Sequence, residues 1–366
     1  MSSQILVATR KGLLTVHAGA NGNWQAKKMH FLGQPVSFVL AHPDGPWYAA
    51  LDLGHFGAKL HRSEDQGENW EELPAPAFPE QDPATSEAEK EAKEEAPSVE
   101  KIWCLTPGPG EELWAGCIPA GLFHSNDGGR SWTWKRSLWD VPERQEWFGG
   151  GYDHAGIHSI LVDPRNSAHL LVAISVGGVW QSLDSGTSFQ LIGQGMRAAY
   201  VPPERSQDPA IQDPHCVVRS PQDPDRLWMQ HHNGIFHSRD NGQHWTESED
   251  VRPSNFGFAV AVDPNNSERA WFVPAMLDEC RIPVDGRLVV NRTSDGGTSF
   301  ETLNGGLPDQ FAYDLVYRHA LDISQDGRFL AFGSTTGGLW LSDDGGEHWT
   351  TVHQNLPPIY ALRFVP

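Results

Sequence analysis

The sequence is poor in cysteine, in positive charge and in long apolar runs. Its four cysteines (Cys104, Cys117, Cys216, Cys280) show no CxxC spacing, and they are predicted to be buried thiols in a reducing compartment. Lys and Arg number 27 against 47 Asp and Glu, a net charge of −20. Because phosphate groups repel such a surface, neither nucleic acid nor an anionic membrane is an expected partner.

A targeting segment is also missing from the start of the chain. MSSQILVATRKGLLTV has no basic segment followed by a long apolar stretch and a small-residue cleavage site. No run of apolar residues is long enough to predict a transmembrane helix. We therefore expect a cytoplasmic protein that does not span a membrane.

Aromatic residues, glycine and proline are abundant instead. The chain has 15 Trp, 16 Phe, 37 Gly and 27 Pro. Gly and Pro interrupt helices, so this composition favours short strands joined by tight turns.

One pattern, Ser/Thr-x-Asp-x-Gly-x-x-Trp/Phe, recurs along the chain. Each copy follows a short strand signal such as AGLFHS or NGIFHS, and two further apolar runs precede that signal. The spacing of roughly 50–60 residues predicts a four-stranded meander repeated around an axis. The six copies begin at Ser63, Ser125, Ser182, Ser238, Thr293 and Ser342.

A seventh unit is divided between the two ends of the chain. ILVATRKGLLTVHAGANGNW has the rhythm of the outer strands, and IYALRFV that of an innermost strand. Joining them closes the ring and protects the sheet edges. The prediction is an all-β, seven-bladed β-propeller forming one domain over residues 1–366. Blade 1 comprises residues 1–27 plus 358–366, and residues 74–100 form an acidic surface insertion.

The repeated motif resembles the Asp-box, or bacterial neuraminidase repeat, of sialidases and of many propellers that are not sialidases. ILVATRKGLL, IHSILVDP, MQHHNGIFHS and VPAMLDECRIPVDGRL are similar to bacterial Asp-box proteins described as sialidase-like or as glycosyl hydrolases. Six equivalent copies around a ring are expected to be structural turns rather than catalytic sites. A true sialidase would need three arginines, and Arg10, Arg219 and Arg318 do not match that pattern well.

The innermost strands are expected to begin on one face of the ring. Counting six residues back from each closing turn places three histidines in one register. We therefore predict that His158, His215 and His319 perform acid–base catalysis or bind one divalent metal ion, with His232 as a fourth metal ligand. Asp278 and Glu279 are predicted to assist catalysis. A polar funnel in which the histidines bond to one another is the alternative.

Further residues on this face are predicted to bind substrate. They are His55, Lys101, Tyr152, Asp153, His154 and Arg318. Lys101 could bind an anionic group such as a uronate, or form a salt bridge with one of the five acidic residues named next. Paired carboxylates of a glycosidase are a further possibility, and the candidates are Asp153, Asp213, Asp278, Glu279 and Asp314. The segment EWFGGGYDHAG is either a lid or an ordinary connection.

The predicted function is that of a hydrolase or lyase. Its substrate would be a small polar metabolite, such as a sugar or sugar acid, bound in a histidine-rich axial pocket. The alternative is a noncatalytic propeller scaffold that binds polypeptide, because Asp-box propellers also resemble assembly factors and sorting receptors.

Overall fold

The computed structural model describes residues 4–19, 23–42, 45–79 and 97–366. Its strands form seven four-stranded sheets, and every pair of neighbouring strands is antiparallel. The predicted seven-bladed propeller is confirmed. Residues 80–96, which make up most of the predicted acidic insertion, lie outside the described residues.

Each blade runs from an innermost strand at the axis to an outermost strand at the rim. In blades 2 to 7 the innermost strands are β4 (Val36–Ala41), β8 (Lys101–Pro107), β12 (Ile157–Asp163), β16 (Pro214–Arg219), β20 (Gly257–Asp263) and β24 (Leu321–Ile323). The second strands are β5 (Trp47–Asp52), β9 (Leu113–Ile118), β13 (Asn166–Ile174), β17 (Leu227–His231), β21 (Asn266–Pro274) and β25 (Leu330–Gly333).

The two outer strands of each blade are shorter. The third strands are β6 (Ala58–Ser63), β10 (Leu122–Ser125), β14 (Gly178–Ser182), β18 (Gly234–Ser238), β22 (Val290–Thr293) and β26 (Leu339–Ser342). The outermost strands are β7 (Glu71–Leu73), β11 (Thr133–Trp134), β15 (Gln190–Ile192), β19 (Thr246–Glu247), β23 (Glu301–Leu303) and β27 (Thr350–His353).

Blade 1 closes the ring with strands from both ends of the chain. Its order is β28 (Ile359–Phe364), β1 (Gln4–Thr9), β2 (Gly12–Ala18) and β3 (Trp24–His30). Ile5 pairs with Phe364 and Val7 with Leu362, so the predicted closure is confirmed. β3 runs three residues beyond the predicted boundary at residue 27.

Helical segments are few and short. They are an α-helix, α1 (Arg136–Trp139), and single 3₁₀ turns at Gly54–Phe56, Pro142–Glu146, Pro203–Arg205, Pro209–Ile211 and Val284–Gly286. None of the helices in the described ranges is long and apolar enough to cross a membrane.

The repeated motif forms the turn between the third and outermost strands. In blade 3, the Ser125 hydroxyl accepts the Gly129 N–H at 2.9 Å and donates to Asp127 Oδ1 at 2.7 Å. Asp127 Oδ1 also accepts the Ser131 N–H at 2.9 Å. Gly129 has φ +87°, which favours glycine. In the five other copies the Ser or Thr hydroxyl likewise accepts the Gly N–H. The Asp Oδ1 of each copy accepts the N–H four residues later, so these carboxylates serve their own turns.

Removing one of these carboxylates should cost stability. Hydrogen bonds from the side chains of Ser131 and Ser125 lower the pKa of Asp127 from 3.8 to about 2. This contribution is present above pH 3.8 and is lost as the pH falls through about 2. We expect Asp127→Ala to lower the free energy of unfolding at pH 7 by about 1 kcal/mol, measured by chemical denaturation. Asn126→Ala, at the exposed neighbour, is the control; an equal loss in both variants would contradict the proposed role.

Candidate functional site

Most innermost strands begin with a β-bulge. At these positions the innermost strand has an extra residue that the second strand of the same blade does not match. A bulge redirects a side chain, and here it does so on the face where the innermost strands begin, which we call the upper face. The bulge residues in blades 1 to 6 are Tyr360, Ser37, Trp103, His158, His215 and Phe258 with Ala259.

The count from the closing turns finds four of these positions. Ser37, His158, His215 and Phe258 occupy bulges, but in blade 3 the count reaches Lys101, two residues before Trp103. In blade 7 it reaches His319, which precedes β24 and bridges to Ala361 of blade 1.

Two of the three predicted catalytic histidines, His158 and His319, are joined by a hydrogen bond. His319 Nε2–H donates to the His158 carbonyl at 2.8 Å. His158 Nδ1 lies 2.9 Å from the Ser159 hydroxyl, which also accepts the Val217 N–H at 3.1 Å. Burial lowers the pKa of both rings, that of His319 to about 3. Both are therefore neutral at pH 7.

The third histidine belongs to a different group. Asp213 Oδ2 lies 3.3 Å from His215 Nε2 and 3.3 Å from His232 Nδ1. Among the described residues, these three form the group whose potential metal-ligand atoms all lie within 4.8 Å of one another. We call it the Asp213 cluster. His158 and His319, predicted as metal ligands beside His215 and His232, lie outside it.

Sequence and strand geometry explain the Asp213 cluster. Asp213 and His215 are two residues apart at the start of β16, and His232 follows β17, the neighbouring strand. The sequence predicts Asp213 only as one of five candidate acid–base carboxylates. The signal that could have found it is the Asp-Pro-His triplet opposite the His-His pair that ends the next strand.

Backbone groups hold each member of the Asp213 cluster in place. Asp213 Oδ1 accepts the Val176 N–H at 3.1 Å. His215 Nδ1–H donates to the Gly257 carbonyl at 2.6 Å; because a carbonyl only accepts, this nitrogen carries the proton. The His232 N–H donates to the Asp213 carbonyl at 2.9 Å.

The Asp213 carboxyl is ionised. Burial by itself would raise its pKa, but interactions with His215, His232 and the Arg318 guanidinium outweigh burial and hold the pKa well below its usual value. Burial lowers the pKa of His215, against the opposing effect of Asp213. The Val176 N–H and the nearby Arg318 guanidinium both favour the ionised carboxylate.

The candidate site residues line two adjoining cavities on the upper face. The side cavity, of about 530 Å³, is lined by the Asp213 cluster together with Tyr200, Phe256, Asp278 and Glu279. The axial cavity, of about 190 Å³, is lined by Lys101, Trp103, Tyr152, Arg318, His319 and Tyr360. Both cavities are lined by Gly150, Gly151 and Arg281, so the two adjoin. A third cavity of about 570 Å³, the lower channel, continues along the innermost strands towards their closing turns.

The glycine run between the cavities is required by close packing. A Cβ on Gly149 would lie 1.7 Å from the Tyr152 carbonyl oxygen, and one on Gly150 would lie 3.3 Å from Asp213 Oδ2. The loop therefore lies against the Asp213 carboxylate at Gly150, and a side chain at Gly149 would clash with the loop's own backbone at Tyr152. This places the predicted lid or connection directly beside the Asp213 cluster.

Arg318 is buried in the axial cavity. It is 8% exposed, and its guanidinium lies 4.7 Å from the Trp103 ring centre and 5.2 Å from that of Phe258. Its Nε and Nη2 have no hydrogen-bond partner among the described residues. The Phe258 ring also stacks on His215, with centroids 4.4 Å apart, and so connects Arg318 to the Asp213 cluster.

Lys101 is paired on the other side of the axial cavity. Its Nζ lies 3.0 Å from the Tyr152 hydroxyl and 3.2 Å from Asp52 Oδ2. Burial would lower its pKa, but Tyr152 and Asp52 raise it overall. Its carboxylate partner, Asp52, is not one of the five acidic residues considered from the sequence.

Of the remaining predicted residues, two line the side cavity and the others lie on surrounding loops. Asp278 and Glu279 line the side cavity, and Asp278 pairs with Arg281. His154 lies 3.6 Å from Glu100 and His55 packs on Phe56. Asp153, His154 and His55 line none of the three cavities. Asp314 accepts hydrogen bonds from Ser334 and Thr336.

Comparison with known proteins gives one relative in sequence. The chain matches none of the known protein-family models. It is 24% identical over 261 residues to an oligoxyloglucan-reducing end-specific xyloglucanase of Emericella nidulans. The match covers 69% of this chain and 27% of the relative, so the chain spans about a quarter of that protein's length.

Solved structures share the propeller fold. An ancestral GH74 enzyme is similar with TM-score 0.58 and 17% identity, over 86% of this chain and 38% of that one. A periplasmic gluconolactonase of Pseudomonas aeruginosa has TM-score 0.61 and 12% identity, over 100% and 99%. YCF48 bound to a D1 peptide has TM-score 0.53 and 15% identity, over 87% and 83%. At these identities the likeness shows the fold alone.

His319 should remain neutral in the folded protein well below pH 6.5. Burial lowers its pKa from 6.5 to about 3, so its contribution to stability is complete above pH 6.5 and is lost as the pH falls towards 3. We expect imidazole ¹⁵N shifts of His319 to stay those of the neutral ring at pH 5. His319→Gln should make the acid-induced loss of stability shallower. A titration midpoint near 6.5 for this ring would contradict its burial.

Proposed function

We propose that this protein is a carbohydrate-active enzyme, a hydrolase or lyase, whose substrate carries a carboxylate recognised by Arg318. The observation that carries the proposal is the buried Arg318 guanidinium, which lines the axial cavity and forms no ion pair with a carboxylate among the described residues. A buried charge without a full set of partners is costly. A carboxylate could accept hydrogen bonds from the planar guanidinium in bidentate fashion.

The surroundings of Arg318 favour an anionic sugar over a neutral one. Lys101 and Arg281 line the same cavity, so positive charge is concentrated there although the whole chain is strongly negative. Attraction between opposite charges is stronger in a partly buried cavity than in bulk water. A uronic acid or another sugar acid has the carboxylate that this arrangement would bind.

Exposed aromatic side chains around the cavities are suited to sugar rings. They lie on loops that precede innermost strands or follow second strands, and therefore on the upper face. They are Phe56, Phe148, Tyr152, Tyr200, Phe311 and Tyr313. Aromatic faces present broad apolar surfaces with little loss of conformational entropy on binding, and they could stack on a carbohydrate held by Arg318.

The Asp213 cluster would supply proton transfer. Its carboxylate is ionised, and the side chain of His232 is 19% exposed and lines the side cavity. An imidazole oriented by a carboxylate is a common general base or acid. Because Phe258 contacts both Arg318 and His215, a substrate bound at Arg318 would lie near this group.

The sequence relative is consistent with this class. The matched Emericella nidulans protein is named as a xyloglucanase, so a carbohydrate substrate is the natural proposal for this chain.

Cytoplasmic location remains part of the proposal: all four cysteines are free and three of them are buried, as expected of thiols in a reducing compartment.

Replacing Arg318 should weaken the recognition of sugar acids. We expect glucuronate or galacturonate to bind in isothermal titration calorimetry, and glucose or xylose to bind at least tenfold more weakly. Arg318→Met should weaken uronate binding by about tenfold or more, because a hydrogen bond to a charged group contributes about 1.5–3 kcal/mol. Circular dichroism and thermal unfolding would verify folding of the variant.

Arg219 provides a matched control for Arg318. It is also a buried arginine with Nε and Nη2 unpartnered among the described residues, but it lines the lower channel near the closing turns. Arg219→Met should leave uronate binding unchanged. The proposal fails if the folded wild-type protein binds acidic and neutral sugars alike, or if both variants lose binding equally.

A noncatalytic peptide-binding scaffold is the second candidate. The likeness to YCF48 bound to a D1 peptide, over 87% of this chain, favours it. This candidate predicts a stable polypeptide partner in pull-downs that excess uronate does not displace, and no turnover of uronate-containing oligosaccharides. Turnover of such a substrate, sensitive to Arg318→Met, would reject it.

A further inference from the structure

We infer that the Asp213 cluster is a binding site for one divalent first-row metal ion, with Asp213 Oδ2, His215 Nε2 and His232 Nδ1 as ligands. Two imidazole nitrogens and one carboxylate oxygen are a donor set that zinc and similar ions prefer. For its part in catalysis this inference rests on the proposed function, but binding of the metal can be tested independently.

The hydrogen-bond direction at His215 is the first argument. Its Nδ1–H donates to the Gly257 carbonyl at 2.6 Å, so in the neutral ring Nε2 presents a lone pair. That nitrogen faces Asp213 Oδ2 at 3.3 Å. His215 and Asp213 are 2% and 3% exposed, so a positive charge between the two atoms, whether a proton on Nε2 or a metal ion, would interact strongly with the carboxylate. A metal ion would take the place of that proton and be bound by the Nε2 lone pair and by the carboxylate.

The distances are the second argument. Asp213 Oδ2 lies 3.3 Å from each of the two histidine nitrogens, longer than the roughly 2.7–2.9 Å of a charge-assisted hydrogen bond. Ligand bonds of about 2.0–2.1 Å in a tetrahedral site separate neighbouring donor atoms by about 3.3–3.4 Å. The observed separations therefore match two edges of a coordination tetrahedron.

The surroundings of the ligands are the third argument. The bond from His215 to the Gly257 carbonyl and the Val176 N–H on Asp213 Oδ1 fix the His215 ring and the Asp213 carboxylate, as outer partners of metal ligands commonly do. The Phe256 ring packs nearly perpendicular to both histidine rings. All three ligands line the side cavity, so the remaining coordination position would face that cavity. A metal there could lower the pKa of a bound water, which would then act as the base in place of His232.

Zinc titration of the untagged, chelator-treated protein tests the inference. We expect one Zn²⁺ per chain by calorimetry and elemental analysis, and Co²⁺ in the same site should give the intense visible absorption of a four-coordinate ion. Asp213→Asn and His232→Gln should each weaken Zn²⁺ binding by roughly tenfold or more. These two changes preserve side-chain size, and thermal unfolding would establish that both variants are folded.

A surface histidine provides the control for weak, nonspecific binding of zinc. His244 Nδ1 lies 2.6 Å from Asp240 Oδ2 on an exposed turn, so His244→Gln removes a His–Asp pair of the same type outside the cavity and should leave Zn²⁺ binding unchanged. Failure of the folded wild-type protein to bind Zn²⁺ or Co²⁺ would overturn the inference, as would equal binding by the Asp213→Asn variant. Failure of the proposed function is separately visible as absent uronate binding to a protein that does bind zinc.

Discussion

The pairing of β28 with β1 is the interaction on which the rest of the structure depends. It closes the ring, so that every blade packs between two neighbours. In an open array of repeats, the first and last blades would each expose one apolar face. Closure also makes the innermost strands begin on one face around one axis. Residues distant in sequence consequently meet there: His319 donates to the carbonyl of His158, 161 residues earlier.

The bulges at the start of the innermost strands give the repeated scaffold its chemical variety. The same backbone irregularity presents a serine, a tryptophan, a histidine or a phenylalanine to the axis, depending on the blade. His158 occupies this position and contacts the Ser159 hydroxyl, whereas His319, which precedes β24, donates to the His158 carbonyl. His215 bonds to a carbonyl with one nitrogen and faces the Asp213 carboxylate with the other. The partner of that second nitrogen, and not the register, distinguishes the candidate reactive histidine.

Charge is distributed in a way that the overall composition hides. The chain carries a net charge of −20, yet Lys101, Arg281 and Arg318 line one small cavity. Asp213 interacts electrostatically with Arg318: burial lowers the pKa of Arg318, and the negative charge of Asp213 opposes that effect. The buried Arg318 guanidinium lies between two aromatic rings. Together with the ionised Asp213 carboxylate near it, it forms a polarised site at the axis. The aromatic side chains on the upper-face loops extend this site outward.

The sequence by itself determined the number of blades, the turns and the closure of the ring. This was possible because each turn is made by local hydrogen bonds, as among Ser125, Asp127 and Gly129. Counting back from the closing turns also located four bulge positions. The count missed the bulge of blade 3 because its reference residue, Pro107, is still paired within β8, whereas the closing-turn prolines of the other blades follow their strands. Only the tertiary structure decided that Asp213, and neither His158 nor His319, joins His215 and His232, and that Trp103 and Phe258 flank Arg318. Those contacts depend on the direction each bulge gives to a side chain and on the packing between blades, neither of which a repeat pattern encodes.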